Sequence, residues 1–360
     1  MSSKEDAASI PSCLNNRRAV NWMKDANEVD TALQALKHED RRVRRRAART
    51  LGELGAPKAV TALLQALHDV DKTVRRNAAE ALDRLGWEPQ NEPEHVAYLM
   101  AKGAWEEIRG LGEGAVGPLY DAVQAVAPEL RLGAVEALKQ RKDPRAVGPL
   151  CQALQDDHAP VRISAAEALG ELGDARAVPC LIDVLNASYH LQKAAIAALV
   201  AIGDPAIEPL CQALRAEDWE LRRGASKALS ALDWWSEEET DQLYFRIAQQ
   251  DWEAVATYGD LAIAPLLRLL KEEWDPIRVG APKALGELRG PQVVPRLLQA
   301  LQDPDSWVRM GTAKALGAQE DARAIGPLIQ VLGDVNEWVQ EEAKEALVVL
   351  GKPAVLPLVH

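Results

Sequence analysis

Phenylalanine occurs once in these 360 residues, cysteine four times and histidine six times. No stretch approaches the roughly 18 consecutive apolar residues of a membrane span. That excludes a bundle of membrane-crossing helices, and no membrane partner is expected. Residues 1–20 lack the apolar segment of a secretory signal, so a water-soluble, cytoplasmic protein is expected. The cysteines have no metal or redox spacing. Cys151, Cys180 and Cys211 stand at helix positions where sister segments carry Leu, Pro or another apolar residue, and they are read as reduced core thiols. There is no glycine-rich phosphate loop, no Ser/His/Asp constellation and no nucleophilic cysteine setting, so no catalytic residue and no cofactor is assigned. Positive charge is also short: the net charge of −12 argues against nucleic acid as a partner, because phosphate neutralisation dominates that interaction. Aromatic residues make up only 4% of the chain, yet ten are Trp against five Tyr. Those indoles need an explanation.

What the chain does have is a repeat. In APKAVTALLQALHDVDKTVRRNAAEALDRLG (56–86), Val60, Leu63, Leu64 and Leu67 fall on one face of a helix A. Asp71 is placed to cap a helix B whose stripe is Val74, Ala78, Ala81, Leu82 and Leu85, and Gly86 is its stop signal. Two such helices cannot bury their faces alone, so copies must stack. Copies recur at 28–55, 112–142, 143–173, 174–203, 204–233, 260–290, 291–320 and 321–351, and a fragment follows from 352. Residues 1–27 are read as a tail with a capping helix near Arg17–Ala26, and 28–360 as one continuous array.

Two segments, 87–112 and 234–259, interrupt the array. Shifting the chain by 147 residues superposes 57–188 on 204–335 without a gap, so that Trp87 falls on Trp234, Trp105 on Trp252 and Pro118 on Pro265. The chain thus holds a duplicated module, 57–203 and 204–351, and the interruptions are matched parts of it. One extra helix is expected in each, anchored by Trp105 and Trp252.

Written as A-V-x-P-L-x-x-A-L-x-D-x-x-x-x-V-R-x-x-A-A-x-A-L-G-x-L-G, the unit resembles the short, phycobilisome-lyase type of HEAT repeat over roughly residues 28–360. The resemblance implies an all-α, right-handed α-solenoid, a superhelix of about nine to ten helical hairpins with two inserted helices. It does not single out a function, since such repeats occur in bilin lyases, in scaffolds and adaptors and in some hydroxylases. The hydroxylases hold two irons on His-Glu pairs from four repeats. Only His38-Glu39 matches here, so no metal is expected.

Four sets of residues are candidates for more than packing. The arginine after the Val of helix B recurs as Arg44, Arg75, Arg131, Arg162, Arg222, Arg278 and Arg309, with Gln192 and Gln340 as exceptions. Its regularity predicts a structural ladder to the turn aspartates Asp71, Asp157, Asp218 and Asp303. Residues 1–50 carry a net charge of +4, concentrated in Arg41, Arg42, Arg45, Arg46 and Arg49. This basic patch is either a solvated end cap or a dock for an acidic partner. The lone histidines form no ligand set.

The indoles are the fourth set, and the duplication acts as their control. Trp87, Trp105, Trp234 and Trp252 are shared by both modules, which packing explains. Trp219, Trp235, Trp274, Trp307 and Trp338 belong to the second module alone. Lys72 stands where Trp219 does, and the fold does not require Trp there. Trp219, Trp274, Trp307 and Trp338 all precede or open helix B, and B helices stack ~8–10 Å apart, so they form either a binding row on the concave face or covers for repeat edges. Arg223, Lys227, Met310, Lys314, Glu341 and Glu342 would flank such a row. The expected function is a non-enzymatic scaffold or adaptor, a monomer that binds another protein or a peptide. The resemblance supplies the alternative, a bilin lyase or isomerase whose tetrapyrrole propionates would pair with Arg223 or Arg278.

Overall fold

A computed structural model describes residues 28–271 and 275–351. The capping helix expected near Arg17–Ala26, the fragment from 352 and Trp274 lie outside the described residues. Every regular element among the described residues is a helix. They fall into two compact units, one ending at Ala177 and one starting at Val178.

In the first unit, α1 (Glu28–Ala35) pairs with α2 (Arg41–Leu54) and α3 (Val60–Ala66) with α4 (Lys72–Arg84). The interruption contributes α5 (Glu92–Lys102) and α6 (Trp105–Arg109). Then come the pairs α7 (Val116–Val123) with α8 (Pro128–Arg141) and α9 (Val147–Ala153) with α10 (Ala159–Leu172). The stripes of residues 56–86 are buried as their spacing predicts: Leu63, Val74, Ala78 and Leu82 have no exposed surface. Each buried leucine contributes about 1.5–3 kcal/mol against the entropy of ordering the chain. The Asp71 carboxylate accepts the N–H groups of Thr73 and Val74 at 3.0 Å, and Gly86 ends the hairpin with φ 65°.

The second unit follows the same scheme. Its pairs are α11 (Val178–Ile182) with α12 (Tyr189–Ile202) and α13 (Ile207–Ala213) with α14 (Trp219–Ala231). The second interruption forms α15 (Glu239–Gln249) and α16 (Trp252–Ala256). The remaining pairs are α17 (Asp260–Leu269) with α18 (Asp275–Glu287), α19 (Val293–Ala300) with α20 (Ser306–Ala318), and α21 (Ile325–Val331) with α22 (Glu337–Leu350). Within each unit, B helices pack on B helices, α2 on α4, α8 on α10 and α20 on α22.

Each interruption holds two helices where the sequence predicts one. Gly103 (φ 73°) and Gln250 (φ 59°) turn left-handed and end the first helix, and a five-residue helix then begins at Trp105 or Trp252. Those two indoles are anchored as expected, each lying against a glycine of the following B helix. A Cβ on Gly133 would stand 2.0 Å from Trp105, and one on Gly280 would stand 2.1 Å from Trp252. The glycines are there because nothing larger fits beside the indole.

The cysteines divide. Cys211 is a free, buried thiol, and burial pushes its pKa up to about 11. Cys151 and Cys180, read from the sequence as reduced, are disulfide-bonded. The apolar residues that sister repeats carry at the same places suit a thiol and a disulfide equally well.

Candidate interaction surface

The recurring arginine is a structural part. Arg44 donates through Nη1 to the carbonyls of His38 (2.9 Å) and Glu39 (2.8 Å) in its own A–B turn. Its Nε and Nη2 reach Asp69 of the next repeat at 2.6 and 2.9 Å. Arg309 repeats this with Asp303 and Pro304 in its own turn and Asp334 in the next. Arg131 likewise joins Ala125 and Val126 to Asp156 and Asp157. Gln192 and Gln340 keep the link to the turn, donating to the carbonyls of Leu185 and Asp334, and Gln192 also accepts from Lys227 of the next repeat.

The aspartates that the sequence suggested for the ladder divide: Asp157 accepts from Arg131, and others serve as caps. Asp71 and Asp218 cap their own helices, whereas Asp303 accepts the N–H of Asp305 as Asp69 and Asp334 accept those of Asp71 and Asn336. A capping carboxylate is turned toward its own N–H groups, which leaves the aspartate two residues earlier to face the neighbouring arginine. The Arg309 guanidinium holds the Asp334 carboxyl below the usual carboxylate range. Arg162 donates to the carbonyls of Asp156 and Asp157, and Arg75, which is 2% exposed, to those of Asp69 and Val70.

The basic patch on α2 loses one member to this framework. Arg45 brackets the Asp71 carboxylate, with Nε 2.7 Å from Oδ1. Arg41, Arg42, Arg46 and Arg49 are exposed.

The indoles of the second module separate by environment. Trp307 is 40% and Trp338 73% exposed. Both sit at the second position of a B helix, with the Trp307 N–H given to Asp305 (2.8 Å) and the Trp338 N–H to Asn336 (3.0 Å). The caps therefore fix where each indole leaves its helix, on the neighbouring α20 and α22. Trp219, the first residue of α14, is half-buried against the apolar core, and the Arg223 guanidinium lies 5.5 Å from its ring centroid. Edge packing thus describes much of Trp219. Trp235, between α14 and α15, is 72% exposed.

Of the flanking residues, Met310, Lys314, Glu341 and Glu342 lie on the same two helices as the exposed pair, and Arg223 and Lys227 lie on α14. Met310 and Lys314 follow Trp307 at the spacings of one helical face, and Lys314 reaches Glu342 of α22 at 3.4 Å. Glu341 pairs with Lys344 at 2.9 Å. Lys227 instead turns to Gln192 at 3.3 Å, where burial and the charge of Arg223 hold its pKa below the ordinary lysine value. Val335, 96% exposed in the turn before α22, was not among the sequence candidates. Val70 and Val126 hold the same place in other turns and are exposed too, so the sequence does not set Val335 apart. Among the described residues no three His, Cys, Asp or Glu side chains converge to hold a metal ion, and no single helix is long and apolar enough to cross a membrane.

The family model described as HEAT repeats matches residues 29–110, 118–191 and 263–348, and that of the PBS lyase HEAT-like repeat matches 191–216. No curated protein matches the chain. Among solved structures, the chain is similar to human deoxyhypusine hydroxylase in complex with glycerol (22% identity, 84% of this chain and 99% of that one, TM-score 0.26). It is also similar to the complex of CpcE and CpcF of phycocyanin lyase from Nostoc sp. PCC7120 (17%, 97% and 98%, TM-score 0.23). A third is the karyopherin Kap121p bound to the extreme C-terminus of the protein phosphatase Cdc14p (14%, 91% and 38%, TM-score 0.33). None of these likenesses bears on activity.

Proposed function

Because the chain belongs to the HEAT-repeat family, we propose that it is a non-enzymatic scaffold or adaptor that binds a protein or peptide on the helix B face of α20 and α22. The observation that carries this reading is the pair of exposed indoles, Trp307 and Trp338, at equivalent places on adjacent helices. Indoles provide large, rigid, amphipathic contact area, and binding energy concentrates on such anchors. The polar rim of Lys314, Glu341 and Glu342 supplies selectivity more than affinity. The test is affinity capture from native extract with the wild type and with Trp307→Ala combined with Trp338→Ala, each variant shown to be folded by circular dichroism. Each truncated anchor should cost about 2 kcal/mol, roughly 30-fold in affinity, so the partner bound by the wild type should be lost. Undiminished capture would place the binding surface elsewhere.

A second reading is bilin handling, favoured by the lyase-type repeat at 191–216, which ends just before α14, where Arg223 lies over Trp219. A flat conjugated acid suits such a cation and indole pair. It predicts a shifted visible absorption band when a bilin is added, with or without an apo-phycobiliprotein. A spectrum identical to free bilin removes it.

A further inference from the structure

A hollow of about 480 Å³ in the first unit is bounded by α3, α5, α7 and the turn into α8. Its floor is apolar and buried, made by Leu67, Ala97, Met100, Ala122 and Leu130. Its rim carries Glu94 and Asp121, with His68 beside them. Volume and lining fall in the range of sites for a small group with an apolar body and few polar anchors.

The duplicated module tells what such a site holds when it is filled. The 147-residue register carries Ala97 to Tyr244, His68 to Arg215, Glu94 to Asp241 and Leu64 to Cys211. In that copy the Arg215 guanidinium lies over the Tyr244 ring, 5.2 Å from its centroid, and donates to the Asp241 carboxylate. Arg268, the counterpart of Asp121, donates to the Arg215 carbonyl at 3.1 Å. Cys211 is buried to 3%, whereas Leu64 at the same place is only half-buried. The second module thus provides, from its own chain, an aromatic ring, a guanidinium over it and a carboxylate to receive the charge. The first module keeps the carboxylate in Glu94 and adds a second in Asp121, but Ala97 and His68 supply neither the ring nor the guanidinium.

We propose that this hollow binds a peptide segment in which an arginine adjoins an aromatic side chain, with the ring entering over Ala97 and the guanidinium pairing with Glu94 and Asp121. The ring replaces lost apolar contact at the floor, and the planar guanidinium matches carboxylates in a way an ammonium does not. Glu94 accepts the Gln90 N–H at 3.0 Å through Oε2, an anchoring bond that leaves acceptor capacity on the carboxylate for the incoming donor. These residues lie in the first unit and share none with the indole pair, so the two readings stand or fall separately.

The test is calorimetric titration of the full-length protein with the blocked peptide Gly-Arg-Tyr-Gly, with Gly-Glu-Tyr-Gly and Gly-Arg-Ala-Gly as controls. Saturable binding of one Arg-Tyr peptide per chain is expected, with both controls at least about tenfold weaker. Ala97→Tyr should abolish binding by rebuilding the filled copy, and Glu94→Gln should weaken it about tenfold while reducing its salt dependence. The proposal is overturned by no saturable binding to the wild type, by equal affinity for the three peptides, or by undiminished binding to a folded Ala97→Tyr protein. If Ala97→Tyr does not fold, Glu94→Gln decides, and unchanged affinity there counts against the proposal. A neutral aliphatic probe that binds the hollow and is not displaced by the Arg-Tyr peptide overturns it in favour of an apolar ligand.

Discussion

Asp71 is held ionised from two directions. The Thr73 and Val74 N–H groups donate to its Oδ1, and Arg45 brackets the carboxylate from the preceding repeat. Arg45 first, then those helix N–H groups, bring its pKa down to about 2. The folded protein therefore binds this proton less tightly than the unfolded chain, whose aspartates titrate near about 3.9. The stabilisation is fully present above about pH 5 and is lost as pH falls through about 4 toward about 2. Asp71→Asn retains a capping acceptor and removes only the charge. It should lower unfolding free energy by about 1–2 kcal/mol near about pH 6 and by about half as much near about pH 3, as read from urea titrations. An equal loss at both values would mean that the carboxylate charge is not what matters. Whether Asp69 or Asp71 meets the recurring Arg44 was not legible in the sequence, because both lie in the same short turn. Cap geometry decides it, and that is a matter of backbone direction.

At the level of elements, the helices themselves were legible because each carries a long stripe at helical period, broken by Asp and Gly. The short α6 and α16 were not, since five residues are too few to display a period and the break before α16 falls at Gln250, a residue with no turn signature. What the duplication did reveal is that Trp105 and Trp252 are packing residues, and the contact with Gly133 and Gly280 explains why. Gly133→Ala should cost about 1–3 kcal/mol by overpacking and Trp105→Ala about 3–5 kcal/mol by leaving a void. The double variant should lose less than the sum, because a Cβ at 133 intrudes only while the indole is there. Strict additivity in urea unfolding would show that the pair is not coupled. Elsewhere the two copies keep a contact and change its chemistry. Tyr98 packs on Trp87 and bonds Asp83 and Lys102, whereas Phe245 packs on Trp234 and leaves Gln249 to meet Ser230.

For the molecule as a whole, cohesion passes from repeat to repeat, so a link between repeats governs cooperativity as well as stability. Arg131→Gln should keep the turn contact, as Gln192 and Gln340 do naturally, and lose the pairing with Asp156. A loss of about 1–3 kcal/mol is expected, with a shallower urea dependence as the repeats uncouple. Arg131→Met, which also strands the turn carbonyls, should cost more. An unchanged transition in both variants would deny the ladder any coupling role. At this scale the candidate sites were legible in one direction only. Comparing modules for residues gained led to Trp307 and Trp338, but the hollow over Ala97 is defined by an aromatic ring that the first copy does not have, and a search for unusual residues passes over an alanine.

The indole and glycine contact also limits how such a chain can be cut and rejoined. Trp105 and Gly133 both lie in the matched stretch 57–188, and Trp252 and Gly280 in 204–335, so each copy keeps an indole together with the glycine that makes room for it. The smallest piece that can be inherited, transplanted or shuffled intact is therefore larger than one repeat. It comprises the interruption together with the repeat that follows it, and a chimera joined between them would bring an indole against a side chain never selected to admit it.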